Sequence, residues 1–95
     1  MTQYEWDPGK ARANLAKHGV SFDAVADFDW SRAIEIEDDR FDYSEARTLA
    51  IGPIKGVLFV LIYTPRGEVV RVISLRRATP RERRDYEKAQ ASGDQ

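Results

Sequence analysis

Arg71-Val-Ile-Ser-Leu-Arg-Arg-Ala-Thr-Pro-Arg-Glu-Arg-Arg-Asp-Tyr86 joins a segment of strand periodicity to a helix start, and the rest of the chain is most simply arranged around it. From Glu68 to Arg77 strict alternation sends Val70, Val72, Ser74 and Arg76 to one side and Val69, Arg71, Ile73, Leu75 and Arg77 to the other. On that pattern Arg71 and Arg76 part company unless a bulge or twist intervenes. Thr79-Pro-Arg-Glu82 then reads as a capping box with proline at the first helical position. The helix it opens carries Arg81, Arg83, Arg84 and Lys88 but little beyond Tyr86 and Ala89 as apolar positions, which predicts a surface helix or one that waits for a partner. A strand that delivers arginines to a helix start suits a phosphate-rich ligand, because the guanidinium fork matches phosphate oxygens and stays charged.

Working back from this segment, Pro65-Arg66-Gly67 predicts a hairpin turn, and Val57 to Tyr63, apolar without alternation, predicts a central strand covered on both faces. Gly52-Pro53 and Gly56 bracket a further turn after a strand over Ala46 to Ile51. Asp38 to Tyr43 is a polar, acidic turn, and before it Ile34 and Ile36 alternate with Glu35 and Glu37 as in a half-exposed strand.

Nearer the N-terminus, Asp7-Pro8 starts a helix and Gly19 ends it after about His18; Ala11, Leu15 and His18 share one of its faces. Ser21 caps a second helix with Phe22, Val25, Ala26 and Phe28 as its buried stripe, and Tyr4-Glu5-Trp6 forms a short first strand. The expected fold is α+β: a small antiparallel sheet, a three- to five-stranded meander, with two N-terminal helices packed on one face and a C-terminal helix. Residues 1–91 are expected to form a single domain, with 92–95 a frayed tail.

At 95 residues the chain accommodates one modest core. Its longest apolar run is far short of the roughly 20 residues of a membrane helix, its N-terminus lacks a signal-peptide pattern, and it has no cysteine, so a cytoplasmic, membrane-free location is expected. The formal net charge of −1 conceals a polarity: residues 1–45 hold 5 Lys/Arg against 11 Asp/Glu, and residues 46–95 hold 10 against 5. Either one face meets a polyanion, or folding mixes the two signs over the surface.

No phosphate-binding glycine loop, Ser/His/Asp set or zinc spacing is present, and no cofactor or metal is called for. Glu35, Glu37, Asp38 and Asp39 offer ligands for a divalent ion, although alternating acids on a strand more commonly mark its wet face. RNA cleavage needs no such ion, since the ribose 2′-hydroxyl is an internal nucleophile to be oriented, deprotonated and followed by a stabilised phosphorane. Arg71, Arg76 and Arg47 are the candidates for the phosphate, Glu45, His18 or a lysine for the base, and Tyr86 or His18 for the acid. Lys10, Lys17, Arg77, Arg81, Arg83 and Arg84 are candidates for binding the RNA backbone. Plainer roles compete: His18 as the cation at a helix C-terminus, Arg47 and Arg71 as partners of Glu45 and Glu68, Trp6 and Trp30 as core.

Several pieces in order carry a family likeness: Glu5-Trp6-Asp7 with Lys10, Asn14-Leu-Ala-Lys-His-Gly-Val-Ser-Phe22, Glu45-Ala-Arg47, Ile51-Gly52, Tyr63-Thr-Pro-Arg-Gly67, Arg71-Val-Ile-Ser-Leu-Arg-Arg-Ala78 and Glu82-Arg-Arg-Asp-Tyr86. Together they make the chain resemble the BrnT toxins of BrnT–BrnA toxin–antitoxin systems; Pro65 in the hairpin departs from the family pattern. The resemblance implies a RelE-like fold and a bacterial endoribonuclease that cuts RNA and stops translation. It further implies a cognate BrnA-like antitoxin of ribbon-helix-helix type, through which alone operator DNA is met. The alternative is a non-catalytic module whose basic C-terminal helix binds nucleic acid or protein.

Overall fold

The last strand of the sheet lies beside the first. In this computed structural model, which describes residues 2–38 and 46–93, the strands are β1 (Gln3–Glu5), β2 (Ile34–Asp38), β3 (Arg47–Ile54), β4 (Val57–Arg66) and β5 (Val69–Arg77). They form one five-stranded sheet in the order β1-β5-β4-β3-β2. The expected meander β2 to β5 is antiparallel throughout, but β1 pairs with β5 in parallel, Gln3 opposite Val69 and Glu5 opposite Arg71, so the sheet is mixed. Local pattern carries no information about a partner so distant in the chain, which is why the antiparallel expectation fails at this one pair.

Helix α1 (Pro8–His18) starts where Asp7 accepts a hydrogen bond from Lys10 N at 3.0 Å and ends at Gly19, whose φ of 69° is the left-handed cap conformation. Its buried residue is Asn14, while Leu15 is 52% exposed. The second predicted helix is a 3₁₀ helix, Phe22–Asp27, capped by Ser21. Phe22, Val25 and Phe28 are its buried positions; their spacing of three matches a helix of about 3.0 residues per turn, and Ala26 is left exposed. A short 3₁₀ turn, Trp30–Arg32, leads into β2.

Both proline turns sit later than the sequence suggests. β3 runs through Gly52-Pro53 to Ile54, with the turn at Lys55-Gly56, and β4 runs through Pro65 to Arg66. Gly52 is needed for a close approach, since a Cβ there would stand 2.9 Å from Phe28 Cζ and 3.0 Å from Ala33 Cβ.

The sheet buries a core on each face. The first contains Phe22, Val25, Phe28, Ala50, Leu61, Tyr63, Val72 and Leu75, with Trp6 edge-on to Phe22 and Trp30 edge-on to Tyr63. The second, smaller core joins Ile51 and Val60 to Ala78 and Tyr86 beneath α2 (Pro80–Gly93). Helix α2 opens with the expected capping box, Glu82 N donating to Thr79 Oγ1 at 3.1 Å and Thr79 N to Glu82 Oε1 at 2.8 Å. No helix among the described residues is long and apolar enough to cross a membrane.

Candidate functional site

Alternation along β5 breaks at Ile73. Tyr63 faces Val72, but its neighbour Ile62 faces Ser74, so one extra residue on β5 is accommodated as a bulge. The bulge reverses the facing of everything beyond it. Val72 and Leu75, an odd number of residues apart, both enter the first core. Arg71, Ser74 and Arg76 face Thr64, Ile62 and Val60, which alternate along β4, so all three lie on the second face. Strict alternation had put Arg71 and Arg76 on opposite faces; the bulge overrides it.

Asn14 clamps β5 just beyond the bulge. Its Nδ2 donates to Leu75 O at 2.7 Å and to Val20 O at 3.0 Å, its Oδ1 accepts from Leu75 N at 3.2 Å, and Ser74 Oγ lies 3.4 Å from the same oxygen. Because β1 covers only Val69 to Arg71, the outer edge of β5 beyond it would otherwise present bare backbone groups. The amide of Asn14, one donor group and one acceptor, matches such an edge.

Around this point the basic residues fall into three sets. Arg47 precedes Thr48, which pairs with Tyr63, so Arg47 stands across β4 from Arg71 with buried Thr64 between them, about 10 Å separating the two Cα atoms. Glu5, carried alongside by β1, lies 3.7 Å from Arg71 in an ion pair. Lys10, Lys17 and His18 form the second set. With Ala13 and Asn14 they fall at the three- and four-residue steps of one helix stripe, and they line a groove against Ile73 and Ser74. Ser74 belongs to both: it is the next second-face position after Arg71, and it lines the groove.

The third set lies at the α2 junction. Arg76 is about 13 Å along the sheet from Arg71, judged from the four-residue step between their partners on β4, Thr64 and Val60, too far for both to grip one phosphate. Its guanidinium forms a bidentate pair with Glu82, at 2.7 and 2.8 Å, and this pair together with the Thr79 amide lowers the carboxyl from 4.5 to about 2 against the opposing effect of burial. Tyr86 is buried and donates to Arg32 O at 2.6 Å, where Gln90 Nε2 also donates at 3.2 Å. Arg77, Arg81, Arg83 and Arg84 are exposed beside this junction. Glu45 and Asp39 lie outside the described residues.

The acidic alternative places Glu35 and Glu37 opposite Ala50 and Thr48, on the first-core side of the sheet, and Glu35 accepts a hydrogen bond from Tyr63. Burial, followed by that bond, pushes the Tyr63 phenol well above its usual range. No group of three or more potential metal ligands converges among the described residues.

Sequence reasoning missed Asn14, Glu5 and Glu82 as determinants of the surface. A signal for Asn14 was present but unused, since a residue of low helix propensity within a helix calls for a tertiary partner. Glu82 was visible as a capping residue but not as the partner of Arg76. No match to a curated protein is found. Residues 6–82 match the family described as the ribonuclease toxin BrnT of type II toxin–antitoxin systems, and with most of its length covered the chain belongs to that family.

Proposed function

We propose that the chain is a metal-independent endoribonuclease toxin with a RelE-like fold, whose working surface runs from Arg47 and Arg71 across Ser74 to Lys10, Lys17 and His18. The observation that carries this reading is the bulge at Ile73, which puts Arg71 and Ser74 on one face of β5 and turns that edge toward the basic stripe of α1. Arg47 and Arg71 bind the non-bridging oxygens of the scissile phosphate and stabilise the phosphorane, and Lys10 and Lys17 hold the neighbouring backbone. His18 removes the 2′-hydroxyl proton as the O2′–P bond forms. The P–O5′ bond then breaks, the 5′-oxygen takes up a proton, and the products are a 2′,3′-cyclic phosphate and a 5′-hydroxyl.

On this reading Arg76 and Tyr86 anchor α2, while the exposed arginines of α2 add backbone contacts. Cleavage inhibits translation, and a cognate antitoxin of ribbon-helix-helix type neutralises the toxin and alone connects it to operator DNA. The test is incubation of purified protein with RNA in excess EDTA. Cleavage yielding cyclic-phosphate ends, lost in His18→Gln and Arg71→Ala, is the expected result. Salt-dependent RNA binding without cleavage at any concentration would favour a non-catalytic module instead, and cleavage abolished by EDTA would remove the metal-free mechanism.

A further inference from the structure

The direction of the backbone groups on β2 follows from the far side of the sheet. Leu75 aims both its N–H and its C=O at Asn14, away from β4, so Leu61 opposite it turns its own groups toward β3 and meets those of Ala50. Ala50 therefore turns none toward β2. Its partner there, Glu35, and Glu37 two residues on, present N–H and C=O outward. β2 ends the sheet and pairs only with β3, which leaves these groups as an open edge among the described residues.

The side chains along this edge are sorted by face. Glu35 and Glu37 lie on the side of the first core and are exposed; Ile36 lies on the other side, 54% exposed, next to half-buried Leu49 and Ile62. Charges on an edge strand ordinarily deter pairing, and here they deter one partner in particular. A second copy pairing antiparallel about Ile36 would set Glu35 against Glu37 of the other copy, and like charges directly opposite are destabilising. Deterrence does not require an exposed isoleucine between the acids. A strand of the opposite charge, by contrast, satisfies the open backbone groups, the two carboxylates and the apolar patch at once.

We propose that β2 is a strand-addition site for an extended segment of a partner protein in which basic residues alternate with apolar ones, the basic residues facing Glu35 and Glu37 and the apolar ones covering Ile36. The site is separate from the basic surface, and the proposal stands independently of the ribonuclease reading. Backbone hydrogen bonds would supply the affinity and the alternation the register.

The full chain, isotope-labelled, titrated with a short end-blocked peptide of alternating lysine and valine, tests this by amide NMR. Saturable binding is expected, with slowed hydrogen exchange at the Glu35 and Glu37 amides and binding weakened about fivefold by Glu37→Lys and less by the milder Glu37→Gln. The matching glutamate–valine peptide should not bind. Unchanged exchange at these amides under excess peptide, perturbations centred elsewhere, equal binding of the acidic peptide, or equal binding to both Glu37 variants would overturn the proposal. So would protection that grows with protein concentration alone, which would make a second copy the occupant.

Discussion

Asn14 and Leu75 exchange two hydrogen bonds across 61 residues of sequence, the side-chain amide of one serving as a substitute strand for the backbone of the other. Asn14→Ala leaves the N–H and C=O of Leu75 without partners in a buried place, a loss on the order of 2–4 kcal/mol. Chemical denaturation should show it as a lowered midpoint. Asn14→Asp keeps the acceptor but loses both donors, so its loss should be largest at neutral pH and diminish under acid, as the protonated carboxyl regains a donor.

Arg71 and Arg76 should separate experimentally. Arg71→Ala is expected to lower kcat/KM for RNA by about 10²-fold while altering stability little, since its ion pair with Glu5 is long and partly exposed. Arg76→Ala should do the reverse, loosening α2 and leaving cleavage per folded molecule near wild type. Measuring cleavage alongside urea unfolding for each variant distinguishes the two; equal losses of activity would mean that both arginines act on substrate.

Glu82 predicts an acid-side dependence of stability. Its carboxyl is lowered from 4.5 to about 2 in the folded protein, so its contribution is fully present above the unfolded value and disappears as pH falls through about 2. Unfolding free energies measured from neutral pH down to about 2 should fall over this window in the wild type and be flatter there in Glu82→Gln.

At Gly52 the restriction is steric. Gly52→Ala sets a methyl group against the Phe28 ring and Ala33, at a cost of about 1–3 kcal/mol that thermal melting would read as a fall in Tm. Phe28→Leu in the same background should recover part of the loss, because it removes the atoms nearest the new methyl group.

Much of this fold was legible because its signals are local. The Thr79–Glu82 box, the Asp7 cap, the Gly19 stop and the alternating acids of β2 depend on residues within a turn of one another, and each appears where the sequence puts it. The two prolines misled for an instructive reason. Following the same alternation of backbone groups, the nitrogen of Pro65 points to the β3 side before β3 has begun, and that of Pro53 points to the β2 side where no β2 residue pairs with it. Neither removes a ladder hydrogen bond, so both are tolerated inside strands. A bulge was allowed for in the sequence but could not be placed there. Ile73 is an ordinary strand residue, and the amide that clamps Leu75 just beyond it comes from α1, far away in the chain. The composition of the basic surface was therefore readable, but its assembly was not: Arg71 and Ser74 share a face only because of the bulge.

The parallel pairing of β1 with β5 has a consequence for synthesis. A chain emerging from the ribosome presents Gln3 to Glu5 well before Val69 to Arg71, so β1 has no seat until β5 arrives. Arg71, Ser74 and the Leu75 clamp for α1 come late by the same order. A chain that stops before β5 lacks Arg71, Ser74 and the Leu75 clamp, so the basic surface has no frame on which to assemble until that strand has been made.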